Sequence, residues 1–291
     1  MKRLVKRLLH NLVPRRVAHF IRDRIEQRMN AGPILEVRLE PVAPSIRCFV
    51  ADKYSFLAPR ECQRELDFHT HTQEGRAELS GIAEGALRGG TLFDIGAHAG
   101  IISAIFCAAR PDNRVFSFEP SPISQKRLAV MRDLNQFDVR MRIEPVAIGR
   151  EKATMEMLID PGGGYVQVQR FEHSMWDAPQ KIQVPIESLP DASARLGVVP
   201  DFVKLDIESF EYEAIDGARA FLAEHKPELF IELHLNYLEE RKLSPRDLVN
   251  ALVECGYGFF TYGGAPLRAK ELYDSPLQGV RFVARADKRR A

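Results

Sequence analysis

Four cysteines stand in 291 residues, Cys48, Cys62, Cys107 and Cys255, and no two form a C-x-x-C pair. This scatter supplies neither a disulfide framework nor a zinc site, and it fits a reducing cytoplasm. No apolar run approaches the roughly 20 residues that a helix needs to span a bilayer. The N-terminal segment is basic but lacks an unbroken apolar stretch ahead of a cleavage site, so no secretory signal is expected. Net charge is +1, which implies no polyelectrolyte partner for the chain as a whole. Tryptophan occurs once, at Trp176, and no segment repeats. What the chain does have, 45% apolar and 28% charged residues, suits one large core with a small appendage.

Its charge is unevenly spread. Nine of the 41 Lys and Arg but only two of the 40 Asp and Glu fall in residues 1–30. There Leu4, Leu8, Leu9 and Leu12, then Val17, Phe20, Ile21 and Ile25, recur at helical spacing around a break at Pro14. A basic amphipathic helix of this kind lies on an anionic membrane surface, at the inner face of the membrane, or packs on its own domain or a second subunit. Nucleic acid is not an expected partner, because no aromatic-rich basic surface accompanies the segment. The division expected is a basic helical segment at 1–30, an extension at 31–73, a main domain at 74–284 and a charged tail at 285–291.

The main domain is organised around Thr91-Leu-Phe-Asp-Ile-Gly-Ala-His-Ala-Gly100. A short apolar run ends in Asp94, Gly96 and Gly100 follow, and an apolar stretch continues from Ile101 to Ala109. This reads as buried strand, glycine turn and helix, the place where a doubly wound sheet binds a nucleotide-like ligand. The spacing D-x-G-x-x-x-G is neither the phosphate loop nor the dinucleotide fingerprint. An acid ahead of the first glycine suits a ligand with a cationic amine and no phosphate, such as S-adenosylmethionine. A second strand, Val115 to Phe118, ends in Glu119, whose carboxylate can accept both ribose hydroxyls. Gly96, Ala97 and Gly100 line the turn, and the segment Glu144 to Ile148, with Ala147, lies where such folds contact the adenine.

Asp94-Ile-Gly-Ala-His-Ala-Gly100, Phe118-Glu-Pro120, Val146-Ala-Ile-Gly149 and Asp201-Phe-Val-Lys-Leu-Asp-Ile-Glu208 together resemble, in order, the FkbM-family methyltransferases. The resemblance covers about residues 74 to 262. It implies a Rossmann-like class I fold: α/β, with a mostly parallel seven-stranded sheet, helices on both faces and an N-terminal helical and β extension. It also implies S-adenosylmethionine-dependent O-methylation, often of sugars or secondary metabolites. Two positions depart from the family pattern. His98 stands where Asn is usual, and Ser209 stands where Gly follows the D-[VI]-E motif, setting a larger side chain beside the presumed active site. These departures keep a second reading open, a scaffold or membrane-associated protein that retains the fold without catalysis.

Elsewhere the pattern is coarser. Ile34 to Leu39 and Ile46 to Val50 read as strands, and His69-Thr-His71 either puts two imidazoles on one face of an extended segment or is a polar loop. Glu74 to Leu87 reads as a helix, Ser121-Pro122 starts another, and Val139 to Ile143 is the third strand. Residues 153–187 read as an insertion, with Thr154 to Ile159 pairing Tyr165 to Gln169 across Pro161-Gly-Gly-Gly164 and Trp176 nearby. This is either a lid over the substrate or an exposed turn. Phe202 to Asp206 is the fourth strand, Glu211 to Ala223 a helix, and Glu228 to His234 the fifth strand. Tyr257 to Tyr262 and Val280 to Ala284 are expected to pair antiparallel at the sheet edge.

Asp206 ends the fourth strand at the edge where ligands bind in such sheets, and Glu208 follows two residues later. Glu232 and His234 share one side of the neighbouring fifth strand. Asp206, Glu208 and His234 are therefore the catalytic candidates. In one reading Asp206 or His234 takes a hydroxyl proton while Glu208 orients the acceptor. In another, Asp206, Glu208, Glu232 and His234 hold a divalent cation. Lys204 either pairs with Asp206 or Glu232 or reaches solvent.

Overall fold

The computed structural model describes residues 15–32, 36–50, 53–160, 166–168 and 180–286. Residues 1–14 of the expected basic segment, the Pro161–Gly164 loop, Trp176 and residues 287–291 of the expected tail lie outside the described residues, while Arg285 and Ala286 end the last strand. In chain order, helix α1 spans Arg15–Met29, followed by strands β1 (Val37–Val42), β2 (Ser45–Val50) and β3 (Tyr54–Pro59). Helices α2 (Gln63–His71) and α3 (Gln73–Ala86) lead into β4 (Thr91–Ile95), α4 (Ile101–Ala109), β5 (Arg114–Phe118), α5 (Pro122–Leu134) and β6 (Met141–Glu144). Next come β7 (Ala147–Gly149), β8 (Ala153–Ile159), β9 (Val166–Val168), β10 (Gln180–Ser188) and α6 (Leu189–Leu196). Then follow β11 (Phe202–Leu205), α7 (Glu211–Gly217), α8 (Arg219–His225), β12 (Glu228–Leu233), α9 (Leu235–Glu240) and α10 (Pro245–Glu254). Strand β13 (Tyr257–Phe260), β14 (Pro266–Leu267), α11 (Ala269–Tyr273) and β15 (Val280–Ala286) complete the described elements.

The central sheet has the order β14-β13-β15-β12-β11-β4-β5-β6. Five neighbouring strands, β6 to β12, run parallel, and β15 is inserted antiparallel between β12 and β13. This is a Rossmann-like α/β architecture with eight described strands rather than the expected seven, the extra one being the two-residue edge strand β14. The third strand starts at Met141 rather than Val139, whose side chain is 90% exposed. Strands β4 and β11 are buried along nearly their whole length and apolar apart from Thr91, Asp94 and Lys204, as suits parallel strands covered on both faces.

Helix starts follow side-chain chemistry. Ser121, Ser188 and Ser244 each accept a backbone N–H of the first turn, and each is followed by a proline within the first turn. The helix expected from Glu211 to Ala223 is instead two short helices that meet at Ala218. The β8–β9 hairpin forms as expected, but β10 pairs with β8 and also with β7, making a four-stranded sheet beside the main one. The pair His69 and His71 lies on helix α2, not on an extended segment. His69 is buried and faces the Gly75 carbonyl, whereas His71 points to solvent near Asp67. The two imidazoles therefore do not share a ligand position.

The extension is an antiparallel sheet of order β1-β2-β3, and the expected strands are joined by a third, β3. Its buried residues Cys48, Val50, Phe56, Ala58 and Leu66 share one apolar cluster with α3, α4 and one face of the central sheet. The end of α1 packs on the domain too: Met29 is buried in the other cluster, and Arg28 donates to the Pro266 carbonyl. Asn135, just after α5, fixes the extension. Its Oδ1 accepts from Leu57 N (2.7 Å), and its Nδ2 donates to Leu57 O (2.7 Å) and Met131 O (2.7 Å). One amide thus serves as the missing neighbour strand for β3.

Replacing Asn135 with Ala leaves two half-buried backbone groups of β3 without partners. The expected loss is about 1–3 kcal/mol of unfolding free energy in urea titrations, together with faster proteolysis within residues 36–59.

Candidate functional site

Parallel pairing aligns the strand ends. Ile95 is paired with Phe118 on one side and Leu205 on the other, and Leu205 with Ile231. Asp94, Glu119, Asp206, Glu232 and His234 therefore emerge at one edge of the sheet. Alternation then selects a face. Leu92 and Phe202 begin their strands on the face covered by α3 and the extension, so Asp94, Lys204 and Asp206 continue on that face. A cavity of about 380 Å³ opens there, lined by the glycine turn, Glu119, Ala147, Asp206, Glu208, Glu232 and His234. Arg64, Glu65, Phe68 and His69 of α2 form its far wall.

At one end lies the turn. Gly96 has φ +83°, and a Cβ there would collide with the Asp206 carbonyl oxygen. Gly100, at φ +86°, starts α4. His98 also sits in the left-handed region, at φ +46°. That conformation favours Asn but is one His also enters more than most residues do, so the family's usual Asn and this chain's His answer the same backbone requirement. The Glu119 carboxylate accepts His98 N–H (2.8 Å) through Oε2 and Ser121 N–H (2.8 Å) through Oε1. Burial pushes its carboxyl up to about 7 despite those two donors. Asp94 is 1% exposed and accepts from Ser103 Oγ at 2.5 Å, and burial pushes it up to about 6.

At the other end charges converge. His234 Nδ1 is 3.1 Å from Glu211 Oε1, and its Nε2 faces Glu208 Oε2 (3.4 Å), Glu232 Oε1 (3.6 Å) and Asp206 Oδ1 (3.8 Å). Lys204, buried in mid-strand, sits 3.0 Å from Asp206 Oδ2 and 3.2 Å from Glu78 Oε1. Arg281, opposite Glu232 in the β12–β15 register, donates to Glu232 Oε2 (2.5 Å) and also pairs with Glu74 and Glu78. Burial raises the Asp206 carboxyl, but Lys204 and then His234 outweigh it and hold the group well below the usual carboxylate range. Burial, with Asp206 nearby, pushes Glu232 up. Burial lowers His234, but Glu211, Glu232 and Glu208 more than reverse this and push it up to about 10. His234 therefore already carries its proton at neutral pH and is not a free base.

The cavity brings together every residue singled out for the cofactor and for catalysis. Ser209 is the exception to the sequence expectation. It is fully buried, its hydroxyl and carbonyl both take donors from Arg241 (3.0 and 2.8 Å), and it does not line the cavity. Its φ of +82° explains why glycine is usual there. Sequence reasoning missed Glu78, Arg281 and Glu211. Glu78 carried a signal, a lone acid within the buried run Ala77–Ala83 of α3.

Residues 94–259 match the family described as Methyltransferase FkbM domain, more than half of the chain. The chain belongs to the FkbM methyltransferase family. Among curated proteins, none gives a significant sequence match. Among solved structures, an FkbM methyltransferase from Methylobacillus flagellatus KT is similar at 19% identity and TM-score 0.43, covering 68% of this chain and 43% of that one. A precorrin-6y C5,15-methyltransferase from Geobacter metallireducens GS-15 is similar at 13% identity and TM-score 0.41, over 80% and 94% of the two chains. A fibrillarin pre-rRNA processing protein from Methanococcus jannaschii is similar at 10% identity and TM-score 0.42, over 86% and 98%. The chain thus spans less than half of the first of these, and the FkbM assignment rests on the sequence match. No helix among the described residues is long and apolar enough to cross a membrane.

A carboxyl raised on folding favours the folded protein while protonated and loses that advantage as pH rises from the unfolded value toward the folded one. For Glu119 that window runs from about 4.5 to about 7. Without added cofactor, Glu119→Gln should gain roughly 2–3 kcal/mol on the parent protein between pH 5 and pH 8. Denaturant titrations at both pH values measure this difference, and parallel curves would contradict the buried carboxyl described here.

Proposed function

We propose that this FkbM-family protein transfers a methyl group from S-adenosylmethionine to a hydroxyl of a sugar or secondary metabolite. One observation carries the reading: a single cavity joins the glycine turn and Glu119 to the cluster at Asp206, Glu208 and His234. In this reading Asp94 and Glu119 hold the amine and ribose ends of the cofactor, Gly96, Ala97 and Gly100 let its backbone-facing side approach closely, and Ala147 lies along the adenine. The acceptor enters between α2 and the insertion, past Phe68, Met157 and Phe210, all of which line the cavity. Phe68 and Arg64 offer a stacking face and a donor, which suits a hydroxylated ring.

Methyl transfer from a sulfonium is an in-line displacement that depends chiefly on positioning. The S–CH₃ bond breaks as the O–CH₃ bond forms, sulfur keeps the electron pair, and the hydroxyl proton passes to a base. Asp206 is held by Lys204 and Glu232 by Arg281. Glu208 faces only His234 among the ion pairs of the described residues, so it is the carboxylate with capacity to take that proton. Asp206 then accepts a hydrogen bond that orients the acceptor, and the protonated His234 keeps the neighbouring acids in place.

Isothermal calorimetry separates the two ends of the cavity. Asp94→Ala and Glu119→Ala are expected to abolish S-adenosylmethionine binding. Asp206→Ala is expected to leave binding within a few-fold of the parent while release of labelled methyl to a mixed-acceptor pool stops. Unchanged cofactor affinity in the first two variants would refute the site assignment.

A further inference from the structure

Three groups at this end, Asp206, Glu232 and His234, are each fixed from behind. Lys204 takes Asp206 through Oδ2, Arg281 takes Glu232 through Oε2, and Glu211 takes His234 through Nδ1. The atoms left over are Asp206 Oδ1, Glu232 Oε1 and His234 Nε2, and the three residues can each offer a ligand atom within 4.8 Å of the others. One Nε2–H serves at most one acceptor, yet three carboxylate oxygens face it at 3.4, 3.6 and 3.8 Å, with none at ordinary hydrogen-bond distance. Donors around a transition-metal ion at roughly 2.0–2.2 Å are separated by about 3.0–3.6 Å. The two distances from His234 Nε2, 3.6 Å to Glu232 Oε1 and 3.8 Å to Asp206 Oδ1, lie within a few tenths of an ångström of that range.

A second observation lies behind the ring. The Glu211 side chain is fully buried and aimed at Nδ1, and its Oε2 has no hydrogen-bond partner among the described residues. A carboxylate set against the far nitrogen of an imidazole is the arrangement that fixes the tautomer of a metal-binding histidine. Around the same point stand Glu78, Asp206, Glu208, Glu211 and Glu232, against Lys204, Arg281 and His234. The acids outnumber the cations.

From this convergence we infer that Asp206 Oδ1, Glu232 Oε1 and His234 Nε2 bind a divalent first-row transition cation, with Glu208 beside its open side. One imidazole with carboxylates favours Mn²⁺, Fe²⁺ or Zn²⁺ over an all-oxygen cation such as Ca²⁺. Binding displaces the Nε2 proton to solvent, and Nδ1–H continues to donate to Glu211. Within the methyl-transfer reading, on which its chemical role rests, the cation lowers the pKa of the acceptor hydroxyl and Glu208 collects the proton. Binding itself does not depend on that reading.

The test uses full-length protein stripped with a chelator and no cofactor. Titration with Mn²⁺ followed by electron paramagnetic resonance, and with Zn²⁺ by calorimetry, should each show one cation per chain. Glu232→Gln and His234→Gln should weaken binding at least about 100-fold, and Glu211→Gln about 10- to 100-fold, with circular dichroism reporting whether each variant folds. Pulsed resonance on the wild-type Mn²⁺ complex should show coupling to an imidazole nitrogen, a readout that needs no variant. Absence of stoichiometric binding of both cations, absence of that coupling, or undiminished binding by folded His234→Gln overturns the site. Metal-free protein that still binds S-adenosylmethionine would confine such a failure to the cation site, whereas cation binding without cofactor binding would count against methyl transfer alone.

Discussion

The structure depends on a lysine placed inside a strand that has no other polar residue. Lys204 is 2% exposed within Phe202–Leu205 and meets Glu78 from α3 and Asp206 from its own strand end. Burial pushes an ammonium toward its neutral form, but the carboxylates here reverse this and hold it well above its ordinary value. An isolated buried charge is costly, and breaking such a pair by removing one partner is worse than never having it. The lysine therefore ties three things together: the helix that closes one face of the sheet, the ionised state of Asp206, and the position of the fourth strand's end. Arg281 repeats the arrangement two strands further along, on β15, between Glu78 and Glu232.

This network also explains how a cavity so rich in acids stays folded. The carboxylates on the sheet face are paired on their inner oxygens and turn only their outer oxygens to the cavity. Asp94 and Glu119 use a different device, neutral donors: a serine hydroxyl for the first, two backbone N–H groups for the second. The two ends thus differ in kind. The glycine-turn end pairs its acids without cations, which leaves them short of positive charge and ready for a cationic or hydroxyl-rich ligand. The strand-end cluster carries its counter-charges with it.

The sequence made the central frame legible because parallel strands announce themselves. Thr91–Ile95, Val115–Phe118 and Phe202–Leu205 are apolar, short and ended by an acid, and glycine and serine-proline pairs punctuate the helices. The spacing of two placed Glu232 and His234 on one side of the fifth strand, and the structure brings them to 3.6 Å. What was not legible depended on contacts distant in sequence. Nothing local to Glu78 says that Lys204 lies opposite, nor does anything at Leu57 announce Asn135, 78 positions away. The helical state of His69 and His71 was hidden because they form the polar last turn of a short helix, which shows little apolar periodicity. Ser209 was misplaced for a different reason: the motif gives its position in the chain, but the left-handed backbone there swings the side chain away from the cavity toward Arg241.

The extension, which the sequence marked off as separate up to residue 73, shares a core with the cavity-bearing face of the central sheet. Its helix α2 supplies Arg64, Glu65, Phe68 and His69 to the cavity wall, and Glu65 lies 3.8 Å from His98 of the glycine turn. Anything bound beside Asp206 and His234 must therefore fit between the sheet edge and a wall that the matched segment, residues 94–259, does not contain. In the methyl-transfer reading, the chemistry and the choice of acceptor would then fall to different parts of the chain: the positions along the sheet edge follow from strand register. The wall lies outside the paired strands, tied to the rest of the chain by apolar packing, the α2–α3 junction, the amide of Asn135 and side-chain contacts such as Glu65 with His98 and Arg281 over the Phe68 ring. In that reading, acceptor choice in this chain is expected to depend on the segment before the organising strand rather than on the strand ends.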